Sequence, residues 1–292
     1  MAANNPSIML TVLFIIVSSL VVTSRGNNFY QDFEIVFGGD RVRILDTGEL
    51  VTLSLDNSSG SGFQSINEYL FGWFNMQIKL VHGNSAGTVT AYYLQSPTPN
   101  QDEIDFEFLG NLSGDPYAVQ TNVYVQGEGS REQQFNLWFD PTKDFHNYTI
   151  LWNPKNIIFY VDHTPIRVFK NHGMQGLPYP KTKTMRLYTT IWNGEDWATR
   201  GGLIKTNWAC APFVASFRNF SGDACVWPWA RGSPSCTATT SPPGSKKRWF
   251  DQVLDPSSEK KMKLVRKKYM IYDYCNHAER FHGVLPPECM RA

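Results

Sequence analysis

Between residues 27 and 220 the chain is filled by short runs in which apolar and polar residues alternate, separated by Gly, Pro, Asn and Asp. A period of two is what a strand with one buried face requires, so the pattern predicts an all-β region. Phe74, Met76, Ile78 and Leu80 alternate with Asn75, Gln77 and Lys79. That run ends at His82-Gly83-Asn84-Ser85, and Thr88 to Leu94 starts the next. Further on, Val119, Thr121, Val123 and Val125 share one side of a strand, with Gln120, Asn122, Tyr124 and Gln126 on the other. Met185 to Trp192 likewise puts Arg186, Tyr188, Thr190 and Trp192 on one side. Amides, hydroxyls and rings on such faces suit hydroxyl-rich ligands. Several strands of this kind predict two stacked sheets, one of them lining an open groove.

One run differs from the rest. In Asp102-Glu103-Ile104-Asp105-Phe106-Glu107-Phe108-Leu109-Gly110 the apolar face is Ile104, Phe106 and Phe108, and the other face carries Glu103, Asp105 and Glu107. Three carboxylates in a row repel one another, so a solvated surface gains nothing from them. Two carboxyls about 5–6 Å apart are what a retaining glycosidase needs, one as nucleophile and one as acid/base. Alternate strand residues lie roughly 6.8 Å apart, so the Cα atoms of Glu103 and Glu107 are about 13 Å apart. The carboxyls meet only if the side chains lean inward on a concave sheet. Asp105, between them, is placed to hydrogen-bond the nucleophile. Crowding also drives the three pKa values apart, so that one group keeps its proton.

The ends of the chain read differently. Ile8 to Val22 is largely apolar and uncharged, and it is followed by small residues. It predicts a secretory signal over residues 1–24, with an uncleaved anchor as the alternative. Secretion suits the sequons at Asn57, Asn111, Asn147 and Asn219. It also suits pairing of the cysteines, which are Cys210, Cys225, Cys236, Cys275 and Cys289. Short loops suggest Cys225–Cys236 and Cys275–Cys289, leaving Cys210 free. A zinc site using His277 and His282 is the competing reading, but no CxxC pair supports it. Residues 231–248 are linker-like. Pro256 to Lys268 is a predicted helix capped by Asp255, with Met262 and Val265 facing inward, and Tyr269 to Tyr274 is a final strand. Residues 27–221 therefore form the catalytic domain, and 222–292 an extension packed on the sandwich and cleft.

Net charge is +1, which gives no strong steering to nucleic acid. The charge is uneven, however. Residues 240–292 hold 11 Lys/Arg against 6 Asp/Glu, and the remainder holds 16 against 20. Aromatics make up 14% of the chain, fitting both a large β core and a sugar-stacking cleft. Gly83-Asn84-Ser85-Ala86-Gly87 matches GxSxG literally, but a strand follows it where a nucleophile elbow needs a helix. No Walker loop or dinucleotide fingerprint is present.

The acidic run through Asn111 resembles the signature of plant xyloglucan endotransglucosylase/hydrolases, within glycoside hydrolase family 16. The resemblance extends over essentially the whole mature chain. It takes in Asn84 to Tyr93, Thr121-Asn122-Val123, Arg131-Glu132, Trp138-Phe139-Asp140-Pro141, Asp196 to Gly202, Tyr269 to Tyr272 and Pro286-Pro287-Glu288-Cys289. It implies a curved jelly-roll β-sandwich with a C-terminal helix-plus-strand extension on the acceptor side of a long cleft. It implies Glu103 as nucleophile, Glu107 as acid/base and Asp105 as their assistant. Xyloglucan contacts are implied at Gln120, Thr121, Asn122, Ser130, Arg131, Glu132, Asp196, Trp197, Gly201 and Arg280. A glycan is implied at Asn111, and the two disulfides agree with the cysteine spacing. Departures fall at Gln101, Gln120 and Cys210.

The expected activity is endotransglucosylation of xyloglucan with retention, with no cofactor and no metal. The alternatives are hydrolysis by the same machinery and a non-catalytic glucan-binding wall protein. The expected partners are a xyloglucan donor and a xyloglucan or oligosaccharide acceptor, with no nucleic acid and no membrane after signal removal. The expected form is a monomer secreted to the cell wall and apoplast.

Overall fold

A computed structural model of the chain describes residues 28–97, 99–173, 177–227 and 248–291. The signal at 1–24, Cys236 with its expected bridge to Cys225, and most of the linker-like stretch lie outside the described residues.

The described strands form two antiparallel sheets packed face to face. The first has the order β1 (Phe33–Phe37), β4 (Ser61–Ser65), β13 (Arg186–Asn193), β6 (Thr88–Gln95), β7 (Glu103–Leu109), β8 (Ala118–Tyr124), β9 (Gln133–Asn136) and β15 (Met270–Asp273). The second runs β12 (Thr164–Lys170), β11 (Asn156–Val161), β10 (His146–Trp152), β5 (Tyr69–Lys79), β14 (Phe213–Val226), β3 (Leu50–Leu55) and β2 (Val42–Leu45). Among the described residues two α-helices accompany them, α1 (Phe29–Asp32) and α2 (Pro256–Tyr269).

The core lies between the layers, where the alternation demands it. Phe74, Met76 and Ile78 of β5 are fully buried, as are Ile104, Phe106 and Phe108 of β7. The Phe106 ring meets Tyr148 and Phe159 edge-on at 5.8 and 5.1 Å, and Phe108 meets Tyr148 at 4.5 Å. Burial of each such side chain contributes about 1.5–3 kcal/mol. Edge-to-face geometry adds to that by setting the positive rim of one ring against the negative face of the next. With its apolar face fixed in this way, β7 must present Glu103, Asp105 and Glu107 on the outer side of the first sheet.

The C-terminal segment becomes part of that sheet. Helix α2 is capped by Asp255, whose side chain accepts from Ser258 N at 2.9 Å. Its Arg266 donates to Asp273 at 2.8 Å, and Asp273 also accepts from Gln133 of β9 at 3.2 Å. Strand β15 pairs with β9 and so extends the catalytic sheet by one strand beyond β9. The Cys275–Cys289 disulfide is present, and Cys210 is free and exposed. Strand β14 runs continuously from Phe213 to Val226, so residues 222–226 are part of the second sheet.

Candidate active site

The register across the first sheet sets the cleft. Glu103 is flanked by Gln95 of β6 and Tyr124 of β8, Asp105 by Tyr93 and Asn122, and Glu107 by Ala91 and Gln120. Each acid therefore lies in a lateral row, and the rows continue onto β13, where Tyr188 pairs with Tyr93 and Thr190 with Ala91. Phe37, Ala91, Tyr93, Gln95, Thr190 and Trp192 line one depression with the three acids. Small Ala91 leaves room beside Glu107, and the Tyr93 and Tyr188 rings stack with centroids 5.2 Å apart, giving a flat apolar wall.

The three carboxyls have different surroundings. Glu103 Oε2 accepts from the side-chain amides of Gln95 and Gln101. Burial raises the Glu107 pKa to about 7, opposed by the amide that Gln120 donates to its Oε2 and reinforced by the negative charges of Glu103 and Glu132. Gln120 is itself held, since its Oε1 accepts from Gln134 Nε2 at 2.7 Å. Its amide nitrogen is thereby turned toward Glu107. Asp105 is almost fully buried, and burial, helped by the charges of Glu103 and Glu107, pushes its pKa well above the usual carboxylate range. Its side-chain hydrogen bond with Glu103 acts in the same direction, because two carboxyls in contact favour a proton between them.

The remaining candidates are spread over several environments. Asn122 is buried beside Asp105, and its Oδ1 accepts from the backbone N–H of Val123 and Arg131 at 2.9 and 3.0 Å. Ser130 is exposed with φ 62°. Glu132 and Arg280 form an ion pair at 2.8 Å, and Arg280 also donates to the Tyr272 hydroxyl. Trp197 packs on Trp192 with centroids 6.0 Å apart. Gly201, with φ 68°, is exposed in the same loop. Asn111 follows β7, and its Nδ2 donates to Pro116 O at 3.1 Å.

Three of the positions that the resemblance implied as contacts are engaged elsewhere in the fold. Thr121 does not face the cleft. It is 0% exposed on the core side, and its hydroxyl and carbonyl accept from Arg167 at 2.9 and 2.7 Å. Period-two alternation requires this, because Gln120 and Asn122 take the cleft side. Arg131 is 7% exposed, and its guanidinium is turned to Glu288 at 2.6 Å and to the carbonyls of Val123 and Glu128. It braces the β8–β9 connection against the C-terminal tail. Asp196 points outward, with a 92% exposed side chain, and pairs with Lys205 at 3.0 Å.

Tyr93, Gln95 and Phe37 were missed from sequence. The first two were legible, because Ala91, Tyr93 and Gln95 share one parity of β6. Phe37 was not, because its place depends on an irregularity between Ile35 and Phe37 that shifts the register against β4. Its partner there is Gly62, where a Cβ would lie 2.7 Å from the Phe37 ring.

Comparison with known proteins agrees with this geometry. Residues 29–210 match Glycosyl hydrolases family 16, and residues 244–289 match the xyloglucan endo-transglycosylase C-terminus. Probable xyloglucan endotransglucosylase/hydrolase protein 23 of Arabidopsis thaliana is 57% identical over 282 residues, covering 97% of this chain and 98% of the relative. Xyloglucan endotransglucosylase protein 1 of Diospyros kaki is 54% identical, covering 96% of this chain and 93% of the relative. Among solved structures, the fold resembles a Bacillus licheniformis beta-glucanase with TM-score 0.54 and 24% identity, covering 67% of this chain and 93% of that one. It also resembles the Crh5 transglycosylase in complex with NAG, with TM-score 0.53 and 24% identity, covering 66% of this chain and 77% of that one.

Proposed function

The chain belongs to the xyloglucan endotransglucosylase/hydrolases of glycosyl hydrolases family 16, and on that premise we propose how its cleft cuts and rejoins xyloglucan chains. Glu103 attacks the anomeric carbon of the donor while Glu107 gives its proton to the leaving glycosidic oxygen. The bond to the leaving chain breaks, and a glucan–Glu103 ester forms. Glu107, now a carboxylate, takes the proton from the 4-hydroxyl of an acceptor chain. That oxygen attacks the anomeric carbon of the glucan, and the Glu103 carboxylate leaves. Two inversions give net retention.

The observation that carries this reading is the contrast between two glutamates on one strand face. Glu103 accepts two amide N–H groups, as a waiting carboxylate should. Glu107 is raised to about 7 by burial, so it holds a proton in mildly acid conditions and can release it. Asp105 steadies Glu103 by donating its own proton. Transfer outruns hydrolysis when the acceptor is held so that its local concentration exceeds what water offers at the ester. The strand β15 and the Glu132–Arg280 pair lengthen the sheet beyond Gln120, which supports an acceptor platform there. Glycan attachment at Asn111, secretion to the wall and a monomeric form belong to the same proposal.

The test is to follow product sizes with and without a labelled xyloglucan oligosaccharide. Label entering long chains is the expected result, and products that are only shortened would overturn transfer. Glu103→Ala that left the activity intact would overturn Glu103 as the nucleophile, and an unmutated protein that neither transferred nor hydrolysed would be a non-catalytic glucan binder.

A further inference from the structure

The other sheet carries a second depression, between its edge strand β12 and helix α2. Lys155, Lys170, Lys263 and Arg266 stand along its walls, and Val168, Leu254 and Met262 form its floor. Past Val168 and Met262 it continues toward Arg167, Asp273 and Tyr274. The cleft acids are not part of it.

Its charges are only partly answered. Lys155 pairs with Asp251 at 3.2 Å, and Arg266 with Asp273 at 2.8 Å. Glu259 contributes one further carboxylate on the α2 wall. Lys170 and Lys263 have no ion-pair partner among the described residues. Beneath them lies Arg167, 1% exposed, with its Nη1 on Thr121 and its Nη2 without a partner. The rings of Phe159 and Tyr274 flank its guanidinium at 5.6 and 5.9 Å. No carboxylate bonds it among the described residues, and a buried charge left unpaired is costly. Glu288, the other carboxylate lining this end, is taken up by Arg131 at 2.6 Å, so the Arg167 charge stays unanswered and the end is electropositive beside an apolar strip.

Xyloglucan does not explain this charge, because a neutral glucan offers an ammonium group hydroxyl acceptors but no opposite charge. We propose that the trough between β12 and α2 is a second glycan site, for a linear acidic polysaccharide of the polyuronate class. Its carboxylates meet Lys170, Lys263 and Arg266, and the faces of its sugar rings lie on Val168, Leu254 and Met262. Apolar floor with cationic rim is the complement of a chain that alternates flat sugar faces with carboxylates. A polymer held there tethers the enzyme while the cleft works on neutral glucan, which raises the local concentration of enzyme at the polymer network. The inference rests on the proposed function only in taking the enzyme to work among polysaccharides.

Affinity electrophoresis of the full-length enzyme tests it, in low-salt gels containing polygalacturonate, xyloglucan or dextran sulfate. The expected result is retardation by polygalacturonate that fades as salt screens the contacts. The double variant Lys170→Glu/Lys263→Glu should bind polygalacturonate about tenfold more weakly, on the order of 1.4 kcal/mol. Lys260→Glu/Lys267→Glu makes the same charge change at exposed α2 positions that do not line the trough, and it should lose less than about twofold. Equal losses in the two variants would mean diffuse attraction to a basic surface and would overturn the site. Equal retardation by dextran sulfate, with the same dependence on Lys170 and Lys263, would overturn the polyuronate class. Should the glutamate variant misfold, Lys170→Gln/Lys263→Gln reads the same loss with a smaller change. Transfer to labelled oligosaccharide is assayed on each protein. Absent retardation with transfer intact defeats this proposal alone, whereas absent transfer in the unmutated enzyme defeats the proposed function.

Discussion

At the scale of single residues, the proposed chemistry rests on one proton and what holds it. Glu107→Gln keeps the shape and removes the acid, so kcat should fall by about 10²–10⁴-fold in a labelled-acceptor assay. The same change should stabilise the fold above neutral pH. The Glu107 pKa is higher in the folded protein than in the unfolded chain, so between the two values the unfolded chain ionises first and stability falls as pH rises toward 7. Gln carries no such pH dependence. The shift is worth about 3 kcal/mol, so the Tm of Glu107→Gln should exceed that of the parent by roughly 6–12 °C at pH 8, with the gap closing by pH 5. Gln120 acts in the opposite direction, since its donated N–H favours the Glu107 carboxylate. Gln120→Leu should move the alkaline limb of the rate profile to higher pH. An unchanged limb would show that the amide does not set this proton's affinity.

At the scale of elements, β7 works because its two faces have separate tasks. Phe106 locks the strand to β10 and β11 through Tyr148 and Phe159, and Glu103 and Glu107 use the face left over. Phe106→Ala should destabilise the protein by about 3–5 kcal/mol in denaturant unfolding, as expected for a large ring removed from a closed core. Much of this element was legible in the sequence, including the acidic strand, the alternation in β5, β8 and β13, and the capped helix α2. The sequence also held the answer for Thr121. Alternation put it with Val119 and Val123 on the core side, and the structure agrees with alternation over the list that the resemblance implied. Phe37 was illegible for a different reason. A shift in strand register depends on how two segments meet, and neither segment alone records it.

At the scale of the molecule, the extension joins the catalytic sheet through β15 and is closed by the Cys275–Cys289 bridge and the buried Arg131–Glu288 pair. Cys275→Ser/Cys289→Ser releases a closure over 14 residues of separation, and loses about 3 kcal/mol in the chain-entropy account. The looser tail should raise KM for the acceptor more than it slows ester formation, which burst kinetics with a chromogenic donor would separate. By itself, the sequence determined which residues are apolar, which strand is acidic and which faces oppose each other, because these follow from the two-residue period of a strand and from residue chemistry. Only the tertiary structure decided which strands became neighbours, and hence that Gln95 and Gln101 attend Glu103 while Gln120 attends Glu107. It also decided that Arg131 braces the tail and that Arg167 lies beneath β8. Such pairings join positions far apart in the chain, where the free energy of packing two layers, and no local pattern, selects the partner.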